Sequence, residues 1–297
     1  MRTGEPKRPR RRRWLLLLAS LVLAAPAEAG SPERGAEIFA LAAGCGCHSM
    51  NDGPVGAGGK AIETPFGTFY GSNITSDPET GIGAWTDEEI DAAIRGGRVR
   101  GKGAEAPVMP YPLYAGMSDG DVADLIAFLR TLPAVRKENR LHEGELPLAR
   151  WAYEAWQFLF FRPGPAPATA PAEGIERGRY LADHISMCTD CHTPRNMFGA
   201  IDWSMYLAGT AEGPGGETVP NITPHETGIG EWDTADIASL LKTGMFPNFD
   251  NVQGSMGDAV DGVGGGPGYK DAPEADWHAV ADYLRTVPPI DNKLDDE

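Results

Sequence analysis

One scaffold is written twice in this chain, and the duplication restricts the fold to two copies of a small unit. Glu33-Arg34-Gly35 returns as Glu176-Arg177-Gly178, and Asn73-Ile74-Thr75 as Asn221-Ile222-Thr223. Thr80-Gly81-Ile82-Gly83-Ala84-Trp85 returns as Thr227-Gly228-Ile229-Gly230-Glu231-Trp232. Leu129-Arg130-Thr131-Leu132-Pro133 closes the first copy and Leu284-Arg285-Thr286-Val287-Pro288 the second.

The second copy contains Cys188-Thr189-Asp190-Cys191-His192. This C-x-x-C-H pattern is the attachment signature of a c-type haem. Residues three apart lie on nearly the same side of a helical turn, so both thiols can add to one porphyrin edge, with His192 as the proximal iron ligand. A zinc half-site or a redox dithiol would share the cysteine spacing, but zinc requires a second pair of ligands.

The first copy carries only Cys45-Gly46-Cys47-His48. Gly35 to Cys45 and Gly178 to Cys188 both span 10 residues, whereas Gly35 to His48 spans 13 and Gly178 to His192 spans 14. The missing residue therefore falls inside the motif. Positions i and i+2 of a helix point about 200° apart, so Cys45 and Cys47 cannot both meet the porphyrin edge in an ordinary turn. Either the backbone bulges at Gly46, or a single thioether forms, through Cys47 beside His48. A strained Cys45–Cys47 disulfide or a sequence error are the remaining readings.

Low-spin c haems commonly take a Met thioether as second axial ligand. Among nine Met, the repeat selects two: Trp85 to Met109 and Trp232 to Met256 both span 24 residues. Met117, Met187, Met197, Met205 and Met245 lack a matched partner and read as core or gap filling. His142, His184, His225 and His278 are unmatched and read as ordinary surface or core histidines. Trp85 and Trp232 read as pocket walls, with donation to a haem propionate as the alternative. Asn73 and Asn221 are candidates for polar contacts near the propionates or, alternatively, turn formers.

Residues 1–29 read as a secretory signal: a basic start, an apolar run from Trp14 to about Ala25, and Ala27-Glu28-Ala29 as the cleavage site. That run is too short for an ordinary membrane span, and no later stretch is apolar enough for one. Cleavage near Ala29 would leave 19 basic and 40 acidic residues, a net charge of −21. Such a balance opposes nucleic-acid binding and suits either a plain soluble surface or docking on a basic partner.

The expected organisation is mainly α with little strand: signal peptide 1–29, first unit 30–133, linker 134–173, second unit 174–297. Amphipathic runs at Gly35–Ala43 and Ile175–Met187 open the units. Helices led by Ser118 and by Pro273-Glu274-Ala275-Asp276 close them. The linker's aromatic stretch, Trp151 to Phe161, is expected to pack between the units, with partner docking as the alternative. The Gly-rich insert Gly262–Gly268 reads as a surface loop.

Thr64-Pro65-Phe66-Gly67-Thr68, Met109-Pro110-Tyr111-Pro112, Leu159-Phe160-Phe161-Arg162-Pro163-Gly164, Cys191-His192-Thr193-Pro194-Arg195-Asn196 and Gly254-Ser255-Met256 join the repeat motifs to carry a family likeness. Over nearly all of the mature chain, the sequence resembles the bacterial multihaem cytochromes c that include the cytochrome subunits of periplasmic alcohol, aldehyde and gluconate dehydrogenases. The resemblance implies two tandem cytochrome c domains with two haem c groups, ligated by His48/Met109 and His192/Met256. Those subunits usually carry a third haem unit and a C-terminal membrane anchor, and neither is expected here.

The leading expectation is a periplasmic electron carrier rather than an enzyme, taking single electrons from a dehydrogenase towards another cytochrome or an oxidase. A haem enzyme with an open first haem, such as a dihaem peroxidase or sulfur-compound dehydrogenase, is the alternative. A one-haem carrier with a degenerate first unit is a third reading.

Overall fold

The computed structural model describes residues 1, 30–143 and 149–294; the signal segment expected at 1–29 lies, apart from Met1, outside the described residues. The first unit opens with α1 (Pro32–Leu41), whose N-terminus is capped by Ser31 Oγ accepting from the Arg34 N–H. A 3-10 turn, Ala43–His48, follows. A two-stranded antiparallel ribbon pairs β1 (Ala61–Thr64) with β2 (Gly67–Tyr70), Ala61 opposite Tyr70. Then come α2 (Asp87–Gly96), the short ribbon of β3 (Arg98–Val99) and β4 (Gly103–Ala104), α3 (Tyr111–Tyr114) and α4 (Asp119–Leu129). The connecting helix α5 spans Ala149–Phe160.

The second unit repeats the plan with α6 (Gly174–His184), α7 (Cys188–His192), α8 (Thr234–Thr243), α9 (Gly254–Asp261) and α10 (Glu274–Leu284). Both Gly-Ile-Gly-x-Trp segments lead into a helix begun by a capping box: Thr86 with Glu89 for α2, Asp233 with Asp236 for α8. The repeat is thus a repeat of structure, and the chain is mainly helical, as its periodicity predicts.

In each unit the first and last helices cross at a glycine. A Cβ on Gly35 would lie 2.0 Å from the Asp124 carbonyl oxygen, and one on Gly178 would lie 1.8 Å from that of Ala279. Asp124 stands six residues after Ser118, and Ala279 six after Pro273. The equivalence spares nothing larger than hydrogen at either crossing. Buried Ile38, Phe39 and Leu41 on α1 face Val122, Leu125 and Ile126 on α4; Tyr180 and Leu181 on α6 face Trp277 and Val280 on α10.

The two units share one core, in which Phe39, Leu125, Leu181 and Trp277 belong to a single continuous apolar cluster. Polar contacts also cross between them. The Tyr180 hydroxyl accepts from the Ser118 N–H at 2.9 Å and donates to Asp121 at 2.7 Å, and His184 Nδ1 lies 2.8 Å from the Leu113 carbonyl.

The aromatic connector is only half packed. Gln157 is buried and donates to the Gly97 carbonyl at 3.0 Å, Trp156 donates to the Phe198 carbonyl at 2.8 Å, and Glu154 takes Arg98 at 2.5 Å. These residues, with Phe161 against Tyr111, form the inner face. Trp151 and Phe158, seven residues apart, share the opposite face and are 76% and 74% exposed. A helix presents each residue to one side only, so a run dense in aromatics cannot bury all of them against one neighbour.

Candidate haem-attachment sites

The second motif begins where α6 ends. Met187 takes a left-handed conformation (φ 59°) that turns the chain into α7. Thr189 Oγ1 ties this turn back, its single proton lying between the Ala182 carbonyl at 3.2 Å and the Asp183 carboxylate at 2.9 Å. The Tyr269 hydroxyl donates to the Ser186 carbonyl, and Asp190 pairs with Arg195. Cys188 is buried, and burial pushes its thiol up to about 12.

The first motif is built differently. Ala43, Gly44 and Cys45 are all left-handed, with φ of 54°, 62° and 46°. The backbone bulge expected at Gly46 therefore lies one to three residues earlier. Gly46 and Cys47 are then free to continue towards His48, and the irregularity is absorbed before the second cysteine. No cysteine is disulfide-bonded, Cys45 and Cys47 included. Burial pushes Cys45 up to about 12 and raises Cys47.

Despite that difference, the two histidines sit identically. His48 Nδ1 lies 2.8 Å from the Ser72 carbonyl and His192 Nδ1 lies 2.8 Å from the Pro220 carbonyl. The carbonyl can only accept, so Nδ1 carries the proton and Nε2 keeps its lone pair for a metal. Burial lowers both histidine pKa values, and the carbonyl contact partly opposes this, which favours the neutral ligand form. Each His carbonyl is also held alike, by the N–H of Gly58 at 2.8 Å or of Gly209 at 2.7 Å. Both glycines have positive φ and press against the following Asn N–H, where a Cβ would meet it at 2.7 or 2.6 Å. Sequence reasoning missed this pair because Gly58 follows its His by 10 residues and Gly209 by 17.

Asn73 and Asn221 are turn organisers and have no capacity left for a propionate. Asn73 Oδ1 accepts from the Thr75 N–H and hydroxyl, while Nδ2 donates to Thr80 and to the Val135 carbonyl. Asn221 makes the matching set with Thr223, Thr227 and the Ile290 carbonyl. The carbonyl that fixes each histidine is that of the residue before this Asn, so the turn locks the imidazole indirectly.

Met109 and Met256 are both half-buried, the first just ahead of α3, the second in the first turn of α9. Trp85 and Trp232 are half-buried against the core, Trp232 edge-on to Phe246. Met117 is core as expected, whereas Met197 is 82% exposed and fills no gap. Each methionine-bearing segment packs on the other unit's attachment motif. Pro107, Pro112 and Leu113 line one cleft with Asp190 and Arg195, and α9 lies on the Ala43–His48 turn, where Lys60 pairs with Asp258 at 2.8 Å.

The donor set fits haem c: two cysteines beside a half-buried, Nδ1-fixed histidine, twice over, with a half-buried thioether in each unit. No three His, Cys, Asp or Glu side chains converge into a metal cage among the described residues. Residues 32–133 match the cytochrome c family. The chain is 38% identical to a dihaem c-type cytochrome of Cereibacter sphaeroides, over 88% of both proteins. It is 33% identical to the cytochrome c subunit of a quinone alcohol dehydrogenase from Gluconobacter oxydans and 36% identical to the fructose dehydrogenase cytochrome subunit of Gluconobacter japonicus. It spans 55% and 54% of those two subunits. With its helical repeat and twice-built histidine seat, the chain belongs to the cytochrome c family: a haem-binding electron-transfer protein of two tandem units.

Proposed function

We propose that this protein is a periplasmic dihaem electron carrier that takes single electrons from a dehydrogenase and passes them to another cytochrome or an oxidase. The observation that carries this is the repeated Nδ1–carbonyl bond, which prepares His48 and His192 alike for an iron. Bound haem c supplies one-electron Fe(III)/Fe(II) chemistry. In the second unit Cys188 and Cys191 would hold the haem through thioethers, and His192 and Met256 would be its iron ligands. In the first, His48 and Met109 would be the iron ligands, and attachment would run through Cys47 alone. Met109 and Met256 thioethers in those roles would favour relatively high potentials and would occupy the positions a haem enzyme needs open.

The names of the dehydrogenase subunits above support a dehydrogenase as donor. No helix among the described residues is long and apolar enough to cross a membrane. Export would be directed by the signal segment, with cleavage near Ala29. The exposed face of α5, beside the cleft at Asp190 and Arg195, offers a docking surface close to the second motif.

Intact mass of the mature protein tests the assignment directly. Two haem additions, with one alkylatable thiol mapped to Cys45, are expected; a single addition would show the first unit to be degenerate. The left-handed strain at Cys45 is the observation that favours an open first haem. Rapid carbon monoxide binding to the reduced protein would establish that reading, and slow or absent binding supports the carrier.

A further inference from the structure

The residue missing from the first motif meets an excess of residues from the other unit. Met109 to Ser118 spans 9 residues, whereas the equivalent Met256 to Pro273 spans 17. The excess includes Gly262–Gly268, which sequence reasoning placed on the surface. It is packed instead against the Ala43–His48 turn, with Val263 only 4% exposed. A Cβ on Gly44 would lie 2.2 Å from the Pro267 carbonyl oxygen, and one on Gly46 would lie 2.9 Å from Val263 Cγ2. Beyond the motif, a Cβ on Gly264 would lie 2.7 Å from the Gly53 carbonyl, and one on Gly266 would lie 3.0 Å from Val55.

The loop is itself held in place. The Gly262 N–H donates to the Asp258 carbonyl at 2.9 Å, the Gly266 N–H to that of Val263 at 3.1 Å, and Lys270 Nζ to that of Asp261 at 2.6 Å. Lys60 anchors α9, from which the loop emerges, to the first unit. The Ala43–Cys45 turn needs such support. Left-handed non-glycine residues persist only where their surroundings over-determine them, and here two of three successive residues are of that kind.

We propose that the Gly262–Gly268 loop is a clamp, supplied by the second unit, that replaces the missing motif residue in holding the first attachment turn. Val263 and Pro267 are the positioning residues. They press the turn closed over Cys45 and fix Cys47 and His48 in place without a second thioether. The proposal rests on the single-attachment reading above. The insertion in one unit and the deletion in the other are therefore one feature.

A double-mutant cycle in the intact haem-loaded protein tests it. Gly46 lies outside the left-handed region, so Gly46→Val adds bulk against Val263 without straining its own backbone. Gly46→Val is expected to lift the clamp and speed alkylation of Cys45 by about tenfold. Val263→Ala in that background is expected to return the rate towards the parent. The visible spectrum of the first haem should shift and recover in step, while the second haem's stays fixed. Equal alkylation rates in Gly46→Val and the double variant would overturn the clamp. If mass mapping finds Cys45 already in a thioether, the single-attachment reading fails separately. The cycle is then read from guanidinium midpoints, where non-additivity supports the clamp and additivity overturns it.

Discussion

Asn73 and Asn221 each satisfy buried backbone and hydroxyl groups on both sides of one side chain, and the turn so formed presents the carbonyl that fixes the histidine. Asn73→Ala removes these partners together and leaves the Thr75 N–H without its acceptor. A stability loss of about 2–4 kcal/mol is expected in guanidinium unfolding, with haem content unchanged; a loss below about 1 kcal/mol would contradict the assignment. Asp77 works in the same turn. Its carboxylate accepts from the Thr80 N–H at 2.7 Å and the Thr80 hydroxyl at 2.8 Å, and these bonds hold its pKa below the usual range. A depressed folded pKa means that the stabilisation is complete above the unfolded value of about 3.9 and fades as pH falls through the folded value. Asp77→Asn should therefore be less stable than the parent at about pH 7, with the gap closing towards about pH 3, as urea midpoints would show. At this scale the repeat supplied a ruler, and the matched seats of His48 and His192 follow it, each with Nδ1 2.8 Å from a backbone carbonyl. The roles of Asn73 and Asn221 were not legible, because a polar side chain facing inward reads the same whether it serves a cofactor or a backbone.

Among elements, the crossings of α1 with α4 and of α6 with α10 carry each unit. Nothing larger than glycine fits where a Cβ would stand 1.8 Å from a backbone oxygen. Gly178→Ala is expected to lower stability by about 3 kcal/mol. Gly164→Ala, where a Cβ meets nothing within 4 Å, should be close to neutral in the same thermal melts. The four crossing helices were legible from their apolar spacing and from the Ser118 and Pro273 starts. The α5 helix was legible as an element but not in its orientation. Its inner face is marked by Glu154, Gln157 and Trp156, which serve the end of α2, the β3–β4 ribbon and the Phe198 loop. Nothing local announces that Trp151 and Phe158 point outward. The Gly262–Gly268 loop was misread for a related reason: glycine marks close approach as readily as it marks a free surface turn.

At the scale of the molecule, the repeat suggests two independent units, and the packing makes them one. A single apolar cluster runs through both halves, so exposing one half's helices would also expose apolar surface on the other. The polar contacts across the boundary are buried as well. Tyr180 of α6 closes the N-terminus of α4 by accepting from Ser118 and donating to Asp121, and neither of those groups has water to turn to if the hydroxyl is lost. The methionine segments add a third tie, because each lies on the other unit's motif. Cooperative unfolding requires that each part be unstable without its neighbour, and these three ties supply that condition. Calorimetry of the haem-loaded protein should therefore give one transition whose calorimetric and van't Hoff enthalpies agree. Tyr180→Phe should lower that transition by leaving the Ser118 N–H without its acceptor and the Asp121 carboxylate with Arg34 alone, at about 1–3 kcal/mol, while haem spectra from both units are lost at the same temperature. Two resolved transitions in the parent, each tracked by a different haem, would show that the units fold separately and that their shared core contributes little to either.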